Sequence, residues 1–338
     1  MRPKALAESS YKKDLLNHLI RIDEVAGSLG IQATLDIRGF RLTLDWPTGS
    51  AVLHPQFLVY VGGMKQYTSR FDASVAMFVG WRPRVDVQGI VQWDLTCEKR
   101  RFKQFARDSG ILTPAWSLDS REVMADAIVK RNRSSFAANI RGPFRSTAGI
   151  RLVESEGEYF ERFIPGTIAK AWFWQGRPVC MELERMPVLA GDGVSSIREL
   201  AEQRLRQRGV SMDLVSIESF LAYQGRALGS VLARGETVRA DFRYNSPFSV
   251  PRETQSVELS RVSQAPLFGQ FARFGEALWP SIPPELRRAG LTFTVDAIVD
   301  PEGKAWALEV NANPFLHPAI YEPMLRSLVE RSGNRAAA

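Results

Sequence analysis

Residues Leu291–Pro314 read LTFTVDAIVD-PEGK-AWALEVNANP. Two short runs of alternating apolar residues flank Glu302-Gly303, a weaker form of the Asp-Gly or Asn-Gly signal for a tight hairpin turn. A turn centred there sets Val295 against Val310, Ala297 against Leu308 and Val299 against Trp306 on one apolar face. On the other face, Thr294 meets Asn311 and Asp296 meets Glu309. Two carboxylates directly opposite each other repel unless a positive charge lies between them. Asp296, Glu309 and Asn311 would then offer the oxygen ligands that a cation such as Mg²⁺ takes. A solvated polar face with an accidental acidic pair fits the same letters, because a one-residue slip in register separates the two carboxylates.

The chain around this hairpin has 338 residues, enough for two or three packed subdomains. Hydrophobic residues make up 45% and charged residues 24%, the balance of an ordinary globular protein. No apolar run approaches the roughly 18–20 residues of a membrane span. The opening MRPKALAESSYKKDLL lacks the apolar core of a signal peptide, so the expectation is a cytoplasmic protein without a membrane partner. Cys97 and Cys180 are the two cysteines, and neither sits in a Cys-x-x-Cys or Cys/His metal pattern. The net charge of +7 favours anionic partners. The basic residues are dispersed, with no zinc-finger spacing, RNP-type aromatic motif or basic zipper, so a phosphate-rich small molecule is expected rather than nucleic acid.

Upstream, residues 1–93 mix helical and strand-like pattern. Tyr11–Leu29 reads as an amphipathic helix closed by Gly30, and Gln56–Val61 and Ser74–Val79 read as short apolar strands. Asp94–Gly110 is expected to be one helix capped by Asp94 or Thr96. Ala127–Lys130 (AIVK) reads as a strand, Arg131–Gly149 as a loop, and Tyr159–Ile164 as a strand stopped by Pro165-Gly166. Thr167–Arg185 reads as a hairpin turning at Gln175-Gly176. Ser196-Ile197-Arg198-Glu199 is a capping box that starts a helix ending at Gly209. Helices are also expected at Pro266–Leu278 and Ile320–Glu330.

This order of elements resembles the ATP-grasp superfamily, from about Asp94 to Phe315. It is most similar to the branch of cyanophycin synthetase and the bifunctional glutathione synthetases. The stretches that carry the resemblance are EKRRFKQFARDSGILTP (98–114), AIVK, FERFIPG (160–166), ERMPVLAGDGVSSIREL (184–200) and VDAIVD…LEVNANP. The fold it implies is α+β: an N-terminal α/β domain (1–93), a central lobe (94–170) and a C-terminal lobe with the hairpin (171–338), the two α+β lobes clamping ATP. It also implies an ATP-dependent ligase that joins a carboxylate to an amine or a peptide through an acyl phosphate.

The resemblance assigns roles by position. Lys99 and Lys130 would bind nucleotide phosphates. The loop RGPFRSTAG would be the phosphate lid; it lacks the usual glycine doublet, leaving Arg141, Arg145 and Ser146 to make the contacts. Glu161 would begin the hinge, with the backbone of Arg162 and Phe163 at the adenine edge. Relatives often place a ribose-binding carboxylate just beyond, where this chain has Ile168, with Lys170 two residues on. Thr294 stands where many relatives carry an arginine, so the cation that stabilises the transferring phosphoryl group would come from Arg185, Arg243 or Lys99. Arg243 and Asn245 would bind substrate. Asp296, Glu309 and Asn311 would hold Mg²⁺, with Mn²⁺ as the alternative. His317 and Tyr321 fit packing as well as an active-site rim, and His18 and His54 fit core or surface roles.

Two other functions fit the same letters: an ATP-grasp kinase acting on a hydroxyl, and a nucleotide-binding protein with weakened catalysis. Free amino acids and peptides are not separated as substrates, and a homodimer stays open.

Overall fold

The computed structural model describes residues 15–61, 64–70, 75–83, 92–134, 140–244, 246–249, 254–257 and 266–336. The first helix, α1 (Leu15–Ser28), buries His18, Ile22, Val25 and Ala26, one stripe at helical spacing. It is followed by an antiparallel sheet of β1 (Gln32–Asp36), β2 (Arg41–Trp46), β3 (Gly49–Val61), β4 (Met64–Thr68) and β5 (Val75–Pro83). The long β3 pairs with β2 and then, along its second half, with both β4 and β5.

Next come α2 (Lys99–Asp108) and a four-stranded sheet made by β6 (Trp116–Ser117), β7 (Ala125–Arg131), β8 (Arg141–Ser146) and β9 (Glu158–Arg162), in the order β6-β9-β7-β8. Two expectations are corrected here. The helix does not begin at Asp94: residues Asp94–Thr96 form a separate 3-10 turn, and α2 starts at Lys99. Its first N–H groups are satisfied from outside, with Lys99 donating to the Asn132 carbonyl at 3.1 Å and Arg100 to Asn132 Oδ1 at 3.0 Å. Nor is 141–146 a loop. It is a strand on β7, with Phe144 opposite Ala127 and packed on the Val129, Leu152 and Phe160 cluster.

A short linker, Phe163–Gly166, leads into a larger antiparallel sheet. Its first hairpin is β10 (Thr167–Trp174) and β11 (Arg177–Glu184). The turn is the expected one, with Gln175 and Gly176 both at positive φ, 50° and 80°. An insertion follows, comprising β12 (Val188–Ala190), α3 (Ile197–Gln207), α4 (Val215–Tyr223) and β13 (Thr237–Arg239), with a core of its own around Ile197, Leu205, Ile217 and Leu221. Ser196 and Glu199 form the capping box of α3. The chain returns through β14 (Thr254–Val257), α5 (Pro266–Leu278), α6 (Pro284–Ala289), β15 (Thr292–Val299) and β16 (Ala305–Asn311), giving the order β14-β11-β10-β15-β16. The last helix, α7 (Tyr321–Ala336), packs on α1. None of the described helices is long and apolar enough to cross a membrane.

One face of the large sheet carries Ala169, Ala171, Phe173, Phe293, Val295 and Val310 against α2 and α5. The other face is divided. Trp172, Trp174 and Cys180 share a core with the N-terminal sheet and α7, while Lys170, Asp296, Ile298, Glu309 and Asn311 border a cleft facing the small sheet.

The hairpin that closes this sheet differs from the sequence reading in one respect. Only Gly303 takes positive φ (79°), its N–H donates to the Asp300 carbonyl, and Asp300 N–H reaches the Lys304 carbonyl. The turn therefore closes one position earlier than Glu302-Gly303 predicts. Ala297 faces Ala307 instead of Leu308, and Val299 faces Ala305 instead of Trp306. A bulge then absorbs one residue of β16, and beyond it Asp296 faces Glu309, Val295 faces Val310 and Thr294 faces Asn311, as expected.

Candidate functional site

The cleft between the small and large sheets holds a cavity of about 490 Å³. Its apolar part is lined by Ile128, Phe163, Ile168 and Met186, and its polar part by Lys99, Lys130, Lys170, Asp296, Glu309 and Asn311. The bulge decides this polar wall. Ala305 and Ala307 point into the core under α2 and α5, and strict alternation would send Glu309 after them. The extra residue makes Leu308 and Glu309 both line the cleft and returns Val310 to the core.

Each cleft carboxylate already meets an ammonium group. Lys170 Nζ lies 2.6 Å from Asp296 Oδ1, and Lys99 Nζ lies 3.0 Å from Glu309 Oε2 while also donating to the Ser134 carbonyl. Asn311 Nδ2 donates to Asp296 Oδ2 at 3.3 Å. Burial, with Glu309 nearby, pushes the Asp296 carboxyl up against the opposing pull of Lys170. Burial would raise Glu309 as well, but Lys99 and then Lys130 hold it below its ordinary value. Two carboxylates and an amide are an oxygen donor set suited to a hard divalent cation that takes its remaining ligands from phosphate and water. Among the described residues no group of three or more His, Cys, Asp and Glu forms a self-sufficient metal cage.

Beneath this wall lies a buried network that the sequence reading missed. Lys103 is fully buried and Glu161 is 1% exposed. The Glu161 carboxylate lies between two lysines, 2.8 Å from Lys103 Nζ and 2.8 Å from Lys130 Nζ. Lys103 also donates to Thr113 Oγ1 at 2.8 Å. Burial lowers the Lys103 ammonium to about 8, against the pull of Glu161, and the two lysines keep Glu161 below its ordinary value despite its burial. Glu161 thus fixes the lysine at the end of β7. The available signal was a lysine on the apolar stripe of α2, beside Phe102 and Ala106 and one turn after Lys99.

The other sequence-nominated residues divide between the cleft, where Arg162, Phe163 and Arg243 line it, and positions away from it. Arg141, expected in a phosphate lid, is pinned on β8 to Glu158 at 2.7 Å and to the Arg151 carbonyl. Arg145 is stacked 4.0 Å from the Tyr223 ring, and Ser146 caps the N–H of Ala148. These three do not line the cleft; Ser134 and Ile140, at the two ends of the β7–β8 connection, do. The N–H groups of Arg162 and Phe163 are already donated, to the Ala115 and Asp126 carbonyls, so neither is free for an adenine edge. Arg185 is exposed just past the end of β11 and does not line the cleft. Arg243 does line it, and the buried Asp241 grips its guanidinium with two contacts, at 2.8 and 3.0 Å. Asn245 lies outside the described residues. His317 caps the turn before α7, and Tyr321 is fully buried with His18 Nδ1 at 2.7 Å from its hydroxyl.

No known family model and no curated protein matches this chain in sequence. Solved structures resemble it. A bifunctional glutathione synthetase from Pasteurella multocida is 14% identical over 93% of this chain and 43% of that one, with a TM-score of 0.43. A D-alanine–D-alanine ligase from Bacillus anthracis is 16% identical over 71% of this chain and 68% of that one, TM-score 0.36. The ATP-grasp ligase PsnB, complexed with a minimal precursor, is 12% identical over 71% and 61%, TM-score 0.36. All three are ligases or synthetases. The chain spans less than half the length of the glutathione synthetase.

Proposed function

We propose that the small and large sheets are the two lobes of an ATP-grasp fold, and that the protein is an ATP-dependent ligase joining a carboxylate to an amine. The observation that carries this reading is the cleft itself: an apolar part continuous with a polar part where Lys99, Lys130 and Lys170 meet Asp296, Glu309 and Asn311. Ile128, Phe163 and Met186 suit a purine ring, and the lysines suit a chain of phosphates. Asp296, Glu309 and Asn311 would hold Mg²⁺, or Mn²⁺ in its place; the bound ion would supply Lewis-acid stabilisation of phosphate charge.

The chain's own residues do the rest by position and charge. Lys130, fixed by Glu161, and Lys99 neutralise the phosphates. A carboxylate oxygen of the substrate attacks the γ-phosphorus and ADP leaves. The amine then attacks the acyl carbon, phosphate departs, and the amine nitrogen gives up a proton. Arg243, which lines the cleft and is held by Asp241, would bind the substrate carboxylate. Walls formed by Ile168, Ile298 and Leu308 limit water, which would hydrolyse an acyl phosphate. The substrates belong to the amino acids or peptides. A screen of ADP release over carboxylate and amine pairs with Mg²⁺ tests the proposal. Release that requires both partners supports it; ATP binding with no substrate-dependent ADP release refutes it.

A further inference from the structure

Four charged side chains stand in one row across the large sheet. Strand pairing orders them Glu182 on β11, Lys170 on β10, Asp296 on β15 and Glu309 on β16. Lys170 thus lies between two acidic neighbours. On one side it contacts Asp296 at 2.6 Å. On the other is Glu182, buried and accepting a hydrogen bond from Tyr244. The ammonium group also lies 5.4 Å from the Tyr244 ring and 6.0 Å from that of Trp172, near enough for the ring faces to favour its charge. Its long stem lines the cleft, so a rotamer change suffices to redirect the charge.

We infer that Lys170 is a resident counter-cation of the proposed metal site, one that a divalent ion must displace from Asp296. This inference rests on the cleft being a metal–nucleotide site. A cation approaching Asp296 meets an ammonium group already in contact with it, and at Glu309 it meets Lys99. Nucleotide phosphates change that balance: they give both lysines a new anionic partner, while Glu182 offers Lys170 a second. Metal and nucleotide therefore bind as a linked pair, each raising the other's affinity by the same factor. The position is informative because Lys170 projects from β10 toward the carboxylates, whereas Lys99 and Lys130 come from α2 and the small sheet.

The test is Mn²⁺ binding to the full chain, read from the electron paramagnetic resonance of free Mn²⁺ with and without ADP, each against the same solution lacking protein because ADP itself chelates Mn²⁺. The unmodified protein is expected to bind Mn²⁺ weakly alone and more tightly with ADP. Lys170→Gln, and Lys170→Met as a second variant, are expected to tighten ADP-free Mn²⁺ binding by about tenfold and to shrink the ADP enhancement, because a nearby like charge is removed. A merely structural lysine would leave this affinity unchanged or weaken it. If both variants bind ADP-free Mn²⁺ no more tightly while the unmodified protein still shows ADP-enhanced binding, the inference fails and the nucleotide-site reading stands. If the unmodified protein binds no Mn²⁺ even with ADP, the nucleotide-site reading fails, and the inference with it.

Discussion

Replacing Glu161 with Gln should destabilise the protein in a pH-dependent way that its geometry specifies. Glu161 is the acidic partner of both Lys103 and Lys130, at 2.8 Å each, and Lys103 has no exposure to water. Removing one partner of a buried ion pair costs roughly 3–5 kcal/mol, because the remaining charge is left uncompensated. The pH dependence follows from Lys103. In the fold its ammonium falls from the ordinary 10.5 to about 8 through burial, with Glu161 opposing the fall. Without Glu161 it falls further, while in the unfolded chain it stays near its ordinary value. Between the variant's lowered value and about 8, the folded variant has lost a proton that its unfolded state keeps. Variant stability therefore rises with pH across that window, by about 1.4 kcal/mol per pH unit. The unmodified protein gains nothing from this lysine until pH passes about 8. The Glu161 carboxyl is held below 4.5 in the fold, so its own contribution is constant over the same range. Urea unfolding of both proteins from pH 6 to pH 8 should show a deficit that narrows toward pH 8. Lys103→Met should be milder, since Glu161 keeps Lys130. A deficit below about 1 kcal/mol at pH 6, or one that does not narrow, would refute the assignment of Glu161 as the counter-ion of a strained lysine.

Asp296→Asn or Glu309→Gln should lower ADP release in the substrate screen by roughly a hundredfold or more, and near-normal turnover in either variant would remove the metal role. Gly166→Ala should cost about 1–3 kcal/mol in thermal or chemical unfolding, because a Cβ there would lie 2.3 Å from the Val299 carbonyl oxygen. Tyr321→Phe should cost about 1–3 kcal/mol by the same measurement, since its buried hydroxyl lies 2.7 Å from His18 Nδ1 and accepts the Trp81 N–H at 3.0 Å.

Where a feature was set by neighbours in the chain, its letters were enough. The α3 capping box needs Ser196 and Glu199 three residues apart, and the Gln175-Gly176 turn needs two residues that tolerate positive φ. The pairing of Asp296 with Glu309 was also legible, although by two offsets that cancel: the turn closes one position early and the bulge restores the register. The bulge left a trace, since Leu308 and Glu309 interrupt the alternation that Ala305 and Ala307 begin and Val310 resumes. Features set across the chain were illegible. Asn132 caps α2 from more than 30 residues away, so nothing near Asp94 shows that the helix begins at Lys99. The β7–β8 pairing turns an Arg- and Ser-rich segment into a strand and carries Arg141 and Arg145 away from the cleft. Glu161 sits in the segment expected to read adenine, yet its buried carboxylate is taken up by two lysines, one of them on the distant α2.

The core shared between the N-terminal sheet and the large sheet also limits how the protein can be divided. Just after Asn311, the Asn313 carbonyl accepts from Tyr67, the Pro314 carbonyl from Arg82 and the Phe315 carbonyl from Trp172. Leu42, Phe57 and Trp81 pack in one cluster with Trp172, Leu316 and Met324. A shortened chain beginning after β5 would bare the indole face of Trp172 and release the segment that anchors one cation ligand. The N-terminal unit is therefore not a detachable accessory. Excision should cost the remaining protein its solubility and slacken the cleft, and domain-swapped chimeras of this scaffold should keep residues 15–83 together with 313–336 as one exchangeable block.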